Sequence, residues 1–316
     1  MPDSDDWFST DVRLPYPQWE TIGDWIVDNV AAEAFDEAYT QAVRLWFARF
    51  VRAAGSGLCA TESPNFCALC PFEKSGRRWL LQTLESARRA ILEALGTLAW
   101  SGTWGKQVAL VLPPRLYARY TSHYFDSDYM GRSAGLMITG GGFAHIAVQV
   151  MPRWDSDQQM QRTMAHELTH NALCHLKLPR WLDEGIAMSF EDQLGGGEVA
   201  LADRLGATFE GVGTRALMAE FTDWWTPERV QGFWSGELWN SEQDERALCY
   251  ELARLLFRLI RQSADGNRAH FRSFIGEAGA DDAGEAAAQQ YLGRSLGDLV
   301  MVILGEGDWS PEPVLW

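Results

Sequence analysis

No stretch of about 18 consecutive apolar residues occurs anywhere in the 316-residue chain, so no membrane-spanning helix is expected. The amino terminus, MPDSDDWFSTD, is acidic and lacks the basic-then-apolar order of a secretory signal. Basic residues are scarce: 27 Lys and Arg stand against 43 Asp and Glu, a formal net charge of −16. A surface of that sign repels phosphate backbones and anionic headgroups, which argues against nucleic acid and membrane as partners. Cysteines number five, an odd count scattered as Cys59, Cys67, Cys70, Cys174 and Cys249, which is not how secreted disulfide frameworks look. No internal repeat is visible. A chain that is 47% hydrophobic and 12% aromatic is globular. Its location is expected to be cytoplasmic, and its length suits one principal domain with a helical addition.

The most informative stretch is Arg162–Asn171, RTMAHELTHN. Polar residues from Ser156 to Thr163 lead into it, and Met160, Met164, Leu168 and Leu173 recur at helical spacing, so a helix is predicted over about 157–175. On that helix His166 and His170 stand one turn apart and point the same way, so two imidazoles can hold one metal ion. Glu167, between them, projects beside the ion, where a carboxylate can take a proton from water. This is the HExxH arrangement of zinc peptidases.

Zinc in such a site takes a third protein ligand. A histidine ten residues after the first is ruled out, because Leu176 occupies that place and Leu173 stands where a turning glycine is needed. His175, nine residues after His166, falls ~180° around a helix and points away. The other solution is a glutamate from the next helix, and LPRWLDEGIA supplies it: Pro179 breaks the first helix, Trp181 starts a buried face, and Glu184 lies in the first turns of the second.

HELTH, a short gap and LPRWLDEGIA together resemble the gluzincin metallopeptidases, in particular the bacterial peptidase MA-like domains whose second motif reads W-L-x-E-G-x-A. The resemblance implies His166, His170 and Glu184 as ligands of Zn2+ and Glu167 as general base. It extends over about 200 residues, from Lys106 to Gly305. Gly140–Val148 looks like the edge strand that precedes the active-site helix in such domains. A late helix carrying Tyr250 resembles their helical half. Gluzincin aminopeptidases carry Gly-x-Met-Glu-Asn on that strand, where this chain has Gly142-Phe143-Ala144-His145-Ile146. The departure favours an endopeptidase over an exopeptidase.

Elsewhere the reading is coarser. Residues 1–20 form an arm whose tryptophans dock on the surface. Ile22–Ala54 is helical, with Phe35, Tyr39, Val43, Trp46 and Phe50 as an apolar stripe. Gly55–Gly76 reads as a loop whose Cys67-Ala68-Leu69-Cys70, with Cys59, could be incidental thiols, a small metal site or a disulfide. Arg77–Trp100 is a second long helix. Gly102 and Gly105 mark a boundary, giving an N-terminal helical region (1–104) and a zincin-like domain (105–316). Strands are predicted at 108–112, 134–139 and 144–151, the last two joined by a Gly140–Gly142 turn, with a polar linker over Tyr117–Tyr129. The last strand is the expected place for an extended peptide to add by backbone pairing. The fold class is thus α+β, mainly helical, with a small sheet before the HExxH helix and a helical C-terminal half.

Tyr250, on a buried helix over Ala247–Ser263, is the candidate donor to the oxyanion of an attacked carbonyl, with Tyr120, Tyr124 and His270 in reserve. Asp183 could orient a ligand histidine or simply favour a helix start. His145 is a substrate contact or an ordinary, partly exposed histidine. The tryptophans at 224, 225, 234 and 239 line a cleft wall or pack between helices, the latter favoured. The expected activity is zinc-dependent hydrolysis of a peptide or protein substrate. The alternative is a zinc-containing binding module without turnover.

Overall fold

The computed structural model of the chain describes residues 5–9, 14–55, 57–100, 104–125, 133–150, 156–197, 214–241, 243–263 and 267–316. The first residues of the acidic arm, the expected boundary at Gly102, the end of the Tyr117–Tyr129 linker, the strand end at Met151 and the segment 198–213 lie outside these. The chain forms two compact units, Met1–Cys174 and His175–Trp316. It is mainly helical with one five-stranded mixed sheet, an α+β fold.

In the first unit a ribbon of β1 (Phe8–Ser9) and β2 (Tyr16–Pro17) leads into α1 (Trp19–Asn29) and α2 (Phe35–Ala54). The single helix expected from Ile22 to Ala54 is interrupted. Val30 turns to extended backbone, φ −122° and ψ 140°, and its N–H closes α1 on the carbonyl of Ile26. Both helices contribute to one core, through Ile22 and Ile26 of α1 and Val43, Trp46 and Phe50 of α2, so apolar periodicity runs across the break and hides it.

The sheet consists of β3 (Cys59–Glu62), β4 (Phe66–Cys70), β5 (Gln107–Leu112), β6 (Gly135–Gly140) and β7 (Phe143–Gln149), in the spatial order β3-β4-β5-β7-β6. β4, β5 and β7 run parallel, and β3 and β6 pair antiparallel at the two ends. α3 (Lys74–Leu95) connects β4 to β5. Every residue of β4 and β5 is buried, as expected of parallel strands covered on both faces. Cys67, Leu69, Val108, Leu110 and Ala147 join the core that holds Trp46 and Phe50. The alternate residues face the side on which α3 and α5 (Ser156–Leu173) pack.

Three expectations need correction here. Residues 55–76 are not an irregular loop: β3 and β4 form a hairpin there, closed by Ser63 N–H to the Phe66 carbonyl at 2.9 Å. Glu85 of α3 holds its turn, accepting from Ser63 Oγ at 2.6 Å and Asn65 Nδ2 at 2.8 Å. FCALC is a short, continuous apolar run, which periodicity cannot assign to strand or helix. Residues Pro114–Thr121, within and before the expected linker, form a helix, α4, because Pro114 occupies a first-turn position where its missing N–H costs nothing. And β7 is not an edge strand. It lies between β5 and β6, so the outer strand beside it is β6. The β6–β7 turn follows expectation: Gly141 (φ +55°) and Gly142 (φ +75°) adopt the two left-handed conformations a two-residue hairpin requires.

The second unit is helical: α6 (Arg180–Leu194), α7 (Thr214–Trp224), α8 (Pro227–Ser235), α9 (Gln243–Ser263), α10 (Arg268–Glu277) and α11 (Leu296–Leu304). α6 begins behind Pro179 and stops at Gly195. α9 packs along α6, and the two come close at Gly185, where a Cβ would lie 2.9 Å from the Ala253 carbonyl oxygen and 3.0 Å from Phe257 Cβ. Glycine after Glu184 is therefore a packing requirement. Trp225, Trp234 and Trp239 are buried and pack against Phe233, with centroids 4.9–5.7 Å apart. Among the described residues no helix is long and apolar enough to cross a membrane.

Candidate metal centre

α5 is held from several directions, which fixes the residues it presents. Met160, Met164, Ala165, Leu168 and Leu173 are buried, and so are the polar Thr163, Thr169 and Asn171. The two threonine hydroxyls donate back to the carbonyls of Gln159 and Ala165, and Asn171 Oδ1 accepts from Gln107 Nε2 at 3.4 Å. The Trp100 N–H donates to the Ala172 carbonyl at 2.8 Å, satisfying one of the last carbonyls of the helix.

His166 and His170 are half-buried, and their Nε2 atoms lie 3.0 Å apart. Two Zn–N bonds of ~2.0–2.1 Å at a tetrahedral angle separate the nitrogens by about 3.3 Å, so the pair fits a shared ion closely. Glu184 is 8% exposed in the second turn of α6. Each of His166, His170 and Glu184 offers one ligand atom, and the three atoms all lie within 4.8 Å of one another. Two imidazoles and a carboxylate are a donor set that suits Zn2+ and leaves coordination positions open.

Glu167 is 7% exposed and lies over β6. A Cβ placed on Gly135 would come within 2.8 Å of Glu167 Cγ, 2.9 Å of Glu167 Oε1 and 2.5 Å of Thr163 Cγ2. The sheet edge and the carboxylate therefore touch, and only a residue without a side chain permits it. Sequence reasoning missed Gly135. Its one signal was a glycine at the start of a strand, which often marks a close approach of backbone to another group.

Tyr250 is half-buried on α9, one turn before Ala253, its ring edge-on to Trp239 with centroids 5.2 Å apart. Asp183 is half-buried in the first turn of α6. His175 is exposed and lies beyond the end of α5, so helical phase does not govern it. His270 is exposed on α10.

His145 and Tyr120 are corrected outright. His145 is 1% exposed and belongs to the set of alternate β7 residues facing Trp46, away from α5. Its Nε2 lies 2.6 Å from the hydroxyl of the fully buried Tyr120. Burial pushes the pKa of His145 down to about 3 and that of the Tyr120 phenol well above its usual value. His145 is thus neither partly exposed nor a substrate contact, and Tyr120, enclosed, is not placed to donate to a substrate oxyanion. Tyr124, with its hydroxyl 3.4 Å from that of Tyr120, belongs to the same internal group.

Among the described residues the cysteines form no cluster that could hold a metal ion. Cys67 and Cys70 are three apart on β4 and project to opposite faces, so the CxxC spacing cannot close on one ion. Cys59 stands opposite Cys70 in the hairpin register, and no disulfide forms among the described residues.

A scan against models of known protein families gives no match, and a comparison with curated proteins gives none.

Proposed function

We propose that the chain is a zinc-dependent endopeptidase. The observation that carries this reading is the convergence of His166, His170 and Glu184 on one point, with the Glu167 carboxylate on the same helix, one residue after the first histidine. The three would hold the ion. Bound there, zinc supplies a Lewis acid that polarises a carbonyl and lowers the pKa of water toward about 7.

The protein's own groups do the rest. Glu167 takes a proton from the attacking water on a carboxylate oxygen and hands it to the departing amine nitrogen. Its contact with Gly135 keeps that carboxylate from swinging toward the sheet. Tyr250 is the candidate donor to the oxyanion that develops on the carbonyl. β6 is the outer strand of the sheet among the described residues, the place where an extended substrate would add by backbone pairing, a mode that needs no particular side-chain sequence. The substrate is a peptide or protein. The net charge of −16 disfavours nucleic acid and anionic membrane. Five thiols without a disulfide suit a reducing compartment, in keeping with a cytoplasmic location.

The test is turnover of a quenched-fluorescence peptide library by wild type and Glu167→Gln. The variant is expected to retain its zinc and lose hydrolysis by at least ~100-fold. Retained activity would remove Glu167 from the role of base. Stoichiometric zinc with no turnover by the wild type would favour a binding module instead.

A further inference from the structure

A cavity lies in the helical unit between α6 and α9. It encloses about 440 Å³, and its lining includes Ser189, Asp192, Gln193, Arg254, Arg258 and Arg261. That volume is within the ~300–1,000 Å³ of small-molecule sites. Asp192 is eight residues beyond Glu184 on α6, ~12 Å along the helix axis, so the cavity is a place distinct from the candidate metal centre.

Its chemistry runs against that of the chain. A protein with a net charge of −16 gathers three guanidinium groups around one hollow, from positions i, i+4 and i+7 of one helix. Those positions share a face of α9.

The three differ in environment. Arg254 is 7% exposed: Nε donates to Glu251 Oε2 at 3.0 Å, Nη2 donates to Glu251 Oε1, and Nη1 stands 3.7 Å from Asp192 Oδ2. Two buried carboxylates thus fix Arg254 as part of the wall. Arg258 and Arg261 are exposed, one and two turns further along. Arg261 is steadied by an Nη1–H donated to Ser189 Oγ at 3.0 Å, a link from α9 to α6 across the hollow.

We propose that this cavity binds a small phosphorylated molecule, its phosphate held by Arg258 and Arg261 and its remainder lodged against Ser189, Gln193 and the Arg254–Asp192 wall. Two guanidinium forks offer more N–H groups than the two oxygens of a carboxylate accept well, whereas the terminal oxygens of a phosphate match them. The site is independent of the zinc reading and stands whether or not the chain hydrolyses peptides.

The test is isothermal titration of the full chain with inorganic pyrophosphate, in the presence of a chelator so that no bound metal can capture the anion. One-to-one binding is expected, weakened at least about tenfold by Arg261→Gln and by Arg258→Gln. It should weaken further as salt is raised. Both side chains are exposed, so the variants should melt with the wild type; Arg294→Gln, exposed elsewhere, should bind as the wild type does. Absence of binding overturns the proposal, as does binding that neither variant weakens. Equal binding of citrate, whose only anionic groups are carboxylates, overturns the assignment to phosphate.

Discussion

Replacing Gly135 by Ala adds one methyl group at the point where the sheet edge meets the Glu167 carboxylate, the proposed general base. The new Cβ would sit 2.5 Å from Thr163 Cγ2 and 2.8 Å from Glu167 Cγ, about 1 Å inside ordinary carbon–carbon contact. Thr163 is 8% exposed and its hydroxyl is tied to the Gln159 carbonyl, so it has little room to withdraw. Overpacking of this kind costs ~1–3 kcal/mol. In a unit the size of Met1–Cys174 that corresponds to a fall in melting temperature of roughly 3–10 °C. The relief must come partly from Glu167, and displacement of a catalytic group by ~1 Å can cost on the order of 100-fold in rate. Calorimetry and kcat/KM on one preparation read both effects. The double variant Gly135→Ala/Thr163→Ser, which deletes Cγ2 and keeps the hydroxyl, should recover part of the melting temperature while activity stays low, because the contact with Glu167 remains. A Gly135→Ala protein with wild-type melting and turnover would refute the contact.

Two further outcomes follow from buried charge and burial of an imidazole. Arg254→Met strands Glu251, 1% exposed, and Asp192 without their guanidinium, and should cost ~3–5 kcal/mol in chemical denaturation; a loss below about 1 kcal/mol would contradict the buried pairing. His145 is neutral in the fold, its pKa lowered by burial from 6.5 to about 3, so the unfolded chain binds a proton between those values that the folded chain refuses. Stability should therefore fall as pH drops from about 6.5 toward 3, and His145→Gln should flatten that fall; urea midpoints across this range that are parallel for both proteins would remove His145 as the cause.

What could be read from the sequence was local. His166 and His170 share a side because four residues make about one turn, and Pro179 stands at the start of the helix that carries Trp181 and Glu184; neither inference needs tertiary structure, although the first helix already ends at Leu173, so Pro179 is not what breaks it. Gly141 and Gly142 announce a hairpin for the same reason. What could not be read was pairing across distance. Strand order alone makes β6 the outer strand and β7 an inner one, and nothing in the residues of β7 states its place. CxxC spacing is the same string on a loop as on a strand, yet on β4 it sends Cys67 and Cys70 to opposite faces. His145 alternates correctly for a strand, but its burial depends on cover from α2. Gly135 and Gly185 look like ordinary glycines until Glu167 and Ala253 are brought against them. Nothing in the sequence of α9 tells that Arg254 is enclosed by two carboxylates, one of them on α6.

The central claim is a single zinc held by His166, His170 and Glu184, and elemental analysis of wild type beside Glu184→Ala tests it most directly. One zinc per chain in the wild type, with most of it lost in the variant, is the predicted result. A variant that keeps its metal, or a wild type purified and reconstituted with zinc that binds none, would contradict it.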